Sequence, residues 1–430
     1  MKIFYQFYSL SFTIQELKAW IPFLKETGYT DLYLTPIFQS VNHGYDTIDY
    51  RIVDSRFGTN QEFVDFVDFC HQNGLKVTID GVFNHVGREF WAFKDVLDKR
   101  ENSQYLNWFK NIDFDNIYSG ERNQKPEQIV SSFYFPEDNL NYQGWEGNFD
   151  LVCLNHDCPE LVNYIMQIVH FWKKQFNIDG IRLDVAYLLP SDFLKTLRKS
   201  YPDFLIGEQI HGEYQRLLDC GLNSVTDYNL YKAIWSSIKE NNFWELDWTC
   251  ENHKKDYPTA DLLTFLDNHD TNRLGSHFVK HWQDKDEKGA IIKEGDSFDE
   301  GQFRLALALL FTLPGNPCVY YGTEYEPKGK RSEGEKADFD VRLKYSVPDL
   351  DCSINSYLRY LIYLKKTEPA LQTGWQDFEM LYLQNKQYVF KRKNQNEKVF
   401  AFNLDITPVQ FEVEGFGEIS LQPREWKVIV

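Results

Sequence analysis

The chain has 430 residues, 43% of them hydrophobic, enough to bury one large core with an appendage. Its 64 acidic residues against 46 basic ones leave a net charge of −18, which offers no cationic surface to nucleic acid or to an anionic membrane. No apolar run approaches a membrane span, and seven cysteines without a CxxC pair point to cytoplasmic thiols, not to a disulfide or zinc framework.

The first stretch, MKIFYQFYSLSF, lacks a small-residue cleavage site and is interrupted by Gln6, so 2–8 reads as a strand and not as a signal peptide. Helical spacing of apolar positions follows at 13–27, then a strand at 31–38, a helix at 60–73 and a strand at 75–82. Later strands fall at 180–184, 204–208, 223–228, 262–268 and 317–322, with helices at 159–176, 190–200, 229–240, 301–313 and 353–367. Eight short strands, nearly all followed by an amphipathic helix, predict an α/β fold: a closed parallel (β/α)8 TIM barrel over 1–85 and 151–370. A doubly wound open sheet would open its first turn with G-x-G-x-x-G, and none is there. The Asn-, Asp-, Phe- and Tyr-rich stretch after the third strand is too long for a structureless loop and predicts an inserted subdomain at 86–150. Alternating segments such as YVFKRK, KVFAFNL, VQFEVEGF and EWKVIV predict a C-terminal antiparallel β-sandwich over 371–430.

The reactive face of such a barrel is the C-terminal end of its strands. The third predicted strand ends in Asp80, Asn84 and His85, the fourth in Arg182 and Asp184, the fifth in Glu208, and the seventh in Asp267, Asn268, His269 and Asp270. NHGYD after the second adds His43, Tyr45 and Asp46. One charged strand end fits a structural ion pair; five around one mouth make a site. The set suits either a divalent metal or glycoside cleavage by a pair of acids. Arg182 beside Asp184 tells against metal at that position. It should hold Asp184 ionised at a lowered pKa, as a nucleophile needs. Glu208, at the end of an apolar strand among like charges, should have a raised pKa, as a proton donor needs. That division of labour is the retaining glycosidase scheme.

DGVFNH, GIRLDVA, IGEQIH and FLDNHD resemble, in order and spacing, the four signature segments of the α-amylase family of glycoside hydrolases (family 13). HGYDTIDYRIVDSRFGT (43–59) and LPGNPCVYYGTE (313–324) support the resemblance, which runs the length of the chain. It implies Asp184 as the nucleophile forming a β-glycosyl-enzyme, Glu208 as acid/base, and Asp270 as the group that binds sugar hydroxyls and stabilises the oxocarbenium-like transition state. It further implies that His85, Arg182 and His269 hydrogen-bond the sugar, that Tyr45 stacks on it, and that Asp46 pairs with Arg342 (in DFDVR) at the closed end of that subsite.

RLDVA, the LN of DLVCLNHDCPE and SVTDYNL are most similar to the neopullulanase and cyclomaltodextrinase group. That group carries an extra N-terminal β domain used in dimerisation, whereas here the barrel begins at residue 3, which leaves the oligomeric state open. Ile210 stands where a Trp is common, Tyr187 and Leu188 replace the Lys-His pair of many starch-degrading relatives, and Val185 is of the type found where α-1,6 bonds are accepted. The implied activity is hydrolysis of maltooligosaccharides, cyclodextrins or pullulan-type α-glucans at α-1,4 bonds, with α-1,6 bonds open. Transglycosylation at the same site is the alternative. An inactive carbohydrate-binding homologue would lack at least one of the three acids, and all three are present. The resemblance requires no cofactor. Calcium is the ion to test, since Asn84 stands at the family's common calcium ligand. Asp113, Asp115, Asp138 and Asp150 offer further oxygens that otherwise read as a solvated surface, and SLSF is too short for the calcium loop of oligo-1,6-glucosidase relatives.

Overall fold

The computed structural model describes residues 1–114, 140–285, 291–331 and 338–430. Eight parallel strands share one sheet: β1 (Phe4–Phe7), β2 (Asp31–Leu34), β3 (Lys76–Gly81), β4 (Gly180–Leu183), β5 (Phe204–Gly207), β6 (Ser224–Val225), β7 (Leu263–Phe265) and β8 (Asn316–Tyr320). Each strand from β1 to β5 pairs with the next, β8 pairs with both β1 and β7, and an isolated parallel bridge between Thr226 and Leu263 joins the end of β6 to β7. The result is the predicted barrel, closed at one seam by that bridge.

Local chemistry explains the helices around it. Ile14–Thr27 and Asn60–Gln72 each open with a capping box, Thr13 with Glu16 and Thr59 with Glu62, and Gly28 ends the first in a left-handed turn at φ 106°. Their apolar stripes, including Leu17, Trp20, Ile21 and Leu24, are buried in the core between strands and helices. Pro159–Phe176, Ser191–Ser200, Tyr228–Lys239, Glu300–Thr312 and Ser353–Thr367 also lie within a residue of expectation. Trp244–Asp256 was not foreseen. It is polar on most sides and buries only Leu246, Thr249, Cys250 and His253. An exposed hairpin, Val279–Lys285 with Ile291–Phe298, was likewise unforeseen.

Strand alternation answers why charges end a buried strand. Ile181 and Leu183 pack outward against the helices, so Arg182 turns toward the barrel axis. The register sets Asp80 beside Arg182, and Arg182 beside Ile206 of the small inner cluster with Phe4, Tyr33 and Phe265. Gly180 makes space below, since a Cβ there would lie 2.5 Å from Thr78 Oγ1.

Two appendages complete the described chain. After β3, His85–Gly87, Asn148–Cys153 and Gly144–Trp145 form an antiparallel sheet beside the helix Trp91–Lys99. At the C-terminus, Phe378–Leu383, Gln387–Lys393, Glu397–Asn403 and Trp426–Val428 form a four-stranded antiparallel sheet. Val389, Val399 and Ala401 on it share an apolar layer with Val413, Ile419 and Leu421 of a second, two-stranded sheet. Its other face, through Phe390, Phe400 and Phe402, merges with the main core, and Arg392 Nη1 donates to the Thr312 carbonyl at 2.9 Å. Among the described residues no helix is long and apolar enough to cross a membrane.

Candidate active site

The ends of β3, β4, β5 and β7 bring their polar residues together. Arg182, 2% exposed, sits among three carboxylates. Its Nη1 donates to Asp184 Oδ1 at 2.8 Å and lies 3.4 Å from Asp80 Oδ1, while Nη2 donates to Glu208 Oε1 at 2.5 Å. The hydroxyls of Tyr33 and Tyr45 also donate to Asp80, to Oδ1 at 2.9 Å and to Oδ2 at 3.1 Å. A guanidinium therefore fills the centre of the acidic cluster. Glu208 Oε2 accepts a further bond, 2.8 Å, from the N–H of Val185, whose backbone is left-handed at φ 50°, ψ 38°.

Asp270 comes from the turn after β7. Its Oδ2 lies 2.9 Å from His269 Nε2, and its Oδ1 accepts from Arg342 Nη2 at 3.2 Å. The His269 ring stacks on Tyr45, with centroids 5.6 Å apart and planes 5° from parallel; it also hydrogen-bonds the Tyr45 hydroxyl, and its Nδ1 meets Gln6 Nε2 at 3.0 Å. His85, 1% exposed, stacks on Trp145 at 5.2 Å and sets Nδ1 3.2 Å from Asn84 Nδ2, while its Nε2 carries no hydrogen bond. Burial pushes the His85 pKa down to about 3, so the ring is neutral at physiological pH. Above these groups opens a cleft of about 910 Å³ whose walls carry Asp184, Glu208 and Asp270 together with Tyr8, Trp145 and Phe339.

Burial pushes Asp184 up to about 7. Arg182 offsets this in part, and Asp80 and Asp270 add to it. Glu208 is also pushed up to about 7, by burial first and then by Asp184 and Asp270 against the pull of Arg182. Asp80 reaches about 7 through burial, with Arg182 opposing. Glu208 thus moves as its setting predicted, whereas the expectation of a lowered Asp184 is corrected: one guanidinium shared by three buried carboxylates cannot hold all of them ionised. Asp270 behaves oppositely. Burial would raise it, but His269, Arg342 and Arg182 hold its carboxyl well below the usual carboxylate range.

One expected pairing is replaced. The Asp46 carboxylate closes its own turn, accepting from the N–H groups of Asn42 and His43 at 2.7 and 3.2 Å. Arg342 instead joins Asp270 to Asp338, 3.0 Å from Nη2, and lays its guanidinium 4.5 Å from the Tyr8 ring centroid. Arg331 completes this wall, donating from Nε to Asp338 Oδ1 and from Nη1 to the Asp270 carbonyl, both at 2.8 Å. Sequence reasoning missed Tyr8, Tyr33, Trp145, Arg331 and Asp338. Gln6 had a visible signal, a lone polar residue in an apolar strand.

For calcium, no group of three or more His, Cys, Asp or Glu side chains is placed to hold a metal ion among the described residues. Asn84 turns its carboxamide to His85, Asp113 pairs through its backbone with Asn141, and Asp150 is exposed. Asp115 and Asp138 lie outside the described residues.

A profile for the alpha amylase catalytic domain matches residues 14–215. The cyclomaltodextrinase of Thermoanaerobacter pseudethanolicus is 29% identical over 95% of this chain and 66% of its own length. Neopullulanase 2 of Thermoactinomyces vulgaris is 32% identical over 71% of this chain and 48% of its own. The chain therefore spans about half to two thirds of the curated relatives it matches. Among solved structures, the debranching enzyme of Nostoc punctiforme aligns at a TM-score of 0.77 and 26% identity, covering 99% of this chain and 97% of that one.

Proposed function

The chain belongs to the α-amylase family of glycoside hydrolases, and from that membership we propose that it is a retaining α-glucoside hydrolase acting on α-1,4 bonds of maltooligosaccharides, cyclodextrins or pullulan-type α-glucans. The observation that carries this reading is the Arg182 fork. Asp184 and Glu208 are bound at the two ends of one guanidinium. So short a tether supports retention, where the carboxyls lie about 5–5.5 Å apart, over inversion, where they lie about 6.5–9.5 Å apart.

In this reading Glu208, protonated below neutrality because it is buried among like charges, gives its proton to the glycosidic oxygen. Asp184 attacks the anomeric carbon from the opposite face and forms the β-linked glycosyl-enzyme. Arg182, bonded to both carboxyls, holds whichever one is charged at each step. The Glu208 carboxylate then takes a proton from water, whose oxygen attacks the anomeric carbon and frees Asp184. Asp270, held ionised by His269 and Arg342, meets the positive charge that develops on the sugar. In this reading the neutral His85, which lines the cleft, meets a sugar hydroxyl, and Trp145, Tyr8 and Tyr45 offer ring faces. A cytoplasmic location fits seven free cysteines, six of them buried.

The test is a time course on maltotriose, β-cyclodextrin, panose and pullulan, with the Asp184→Asn variant alongside. Glucose and maltose should accumulate, and the variant should lose several powers of ten in kcat while keeping its circular dichroism. Products longer than the starting sugar would replace hydrolysis by transglycosylation. Undiminished turnover by Asp184→Asn would overturn the assignment.

A further inference from the structure

Val185 follows Asp184 in a conformation that β-branched residues rarely adopt, φ 50° and ψ 38°. Every other non-glycine residue at positive φ among those described is Asn, Arg or Glu. Glycine or asparagine would take this turn with less strain. Backbone strain of this kind persists where the surroundings enforce it, and it clusters at functional sites.

The surroundings do enforce it. The N–H of Asp184 donates to the Gly81 carbonyl at 3.1 Å and that of Glu208 to the Leu183 carbonyl at 3.0 Å, which pins the Leu183–Asp184 peptide before Val185, while the Leu188 N–H donates to the Val185 carbonyl at 2.9 Å after it. The turn between them delivers the Val185 N–H to Glu208 Oε2 at 2.8 Å. The side chain of Val185, a residue only 3% exposed, lines the cleft beside the two acids.

We propose that Val185 is a positioning residue of this site: its left-handed turn aims an N–H at Glu208 Oε2, and its isopropyl group keeps water from the Asp184–Glu208 pair. The inference rests on reading those two acids as the catalytic pair. Glu208 otherwise faces the Arg182 cation, the carboxyls of Asp80, Asp184 and Asp270, and the phenols of Tyr33, Tyr187 and Tyr228. A substitution at Val185 removes none of these groups, so its effect isolates water access and the aim of one N–H.

Val185→Gly relieves the turn but admits water. It should lower kcat about tenfold with KM within about twofold, and move the alkaline limb of the pH–rate profile about one unit toward the ordinary glutamate range. Val185→Ala keeps the strained turn and loses two methyl groups, and should move both quantities less, in the same direction. The Glu208 titration can also be read without turnover, from its carboxyl 13C shift assigned with Glu208→Gln. Wild-type kcat and an unmoved limb in Val185→Gly would overturn the proposal, and so would an unmoved carboxyl titration in a protein that turns over no glucan. In that last case the wild-type assay would separately have refuted the hydrolase reading.

Discussion

Asp184, Glu208 and Asp80 hold their protons more tightly in the folded protein than they would in the unfolded chain. A carboxyl with a raised folded pKa leaves the native state with more bound protons than the unfolded one between about pH 4 and its folded value, so stability falls as pH rises through that window. Asp184→Asn should therefore raise Tm at pH 8, and raise it less at pH 5, as thermal melts at the two pH values would show. Asp270 has the opposite sign. Its lowered pKa stabilises the fold above about pH 4, and that contribution is lost in acid. Catalysis needs one member of the Asp184–Glu208 pair ionised and the other protonated. With both pushed up to about 7, kcat/KM should fall on either side of neutrality, with limbs that belong to the pair. A plateau extending to pH 4 would show that Asp184 is not raised. The positions of these acids were legible in the sequence as charged strand ends, but the sign of the Asp184 shift was not. It depends on Asp80 and Asp270 arriving beside Arg182 from other strands, and on how completely the site is buried.

Elements written in periodic patterns were read to within a few residues, because an apolar stripe and a capping box specify a helix locally. Trp244–Asp256 was invisible, since its polar surface leaves little periodic signal. The Asp46–Arg342 pairing failed for a different reason. The two residues sit on separate loops, and loop geometry decided that Asp46 would cap its own turn while Arg342 met Asp270 and Asp338. The strand His85–Gly87 illustrates how closely such loops are fitted. A Cβ at Gly87 would stand 2.5 Å from the Asp46 carbonyl oxygen, so Gly87→Val must push the turn that carries Tyr45 away from His269. The overpacking should cost about 1–3 kcal/mol of stability, and the displaced ring should lower kcat/KM by about tenfold or more. Denaturant melts and maltotriose kinetics on the same variant would check both.

At the scale of the whole molecule, the closed barrel has one weak place. β6 is two residues long and touches β7 through the Thr226–Leu263 bridge, backed by a 2.9 Å bond from the Asp227 N–H to the Leu263 carbonyl and by the Phe265 ring packed against Tyr228 and Tyr231. Mechanically this is a strip bent round and latched at its ends. Few hydrogen bonds have to break for the latch to lift, so backbone amides at 224–227 and 263–265 should exchange with deuterium faster than those of β1 to β4. Glu208 stands on the β5 side of the latch and Asp270 on the β7 side, with the cleft between them. A sugar gripped by both acids would stitch the strip shut from above. Oligosaccharide bound to Asp184→Asn should thus slow exchange at the seam more than anywhere else in the barrel.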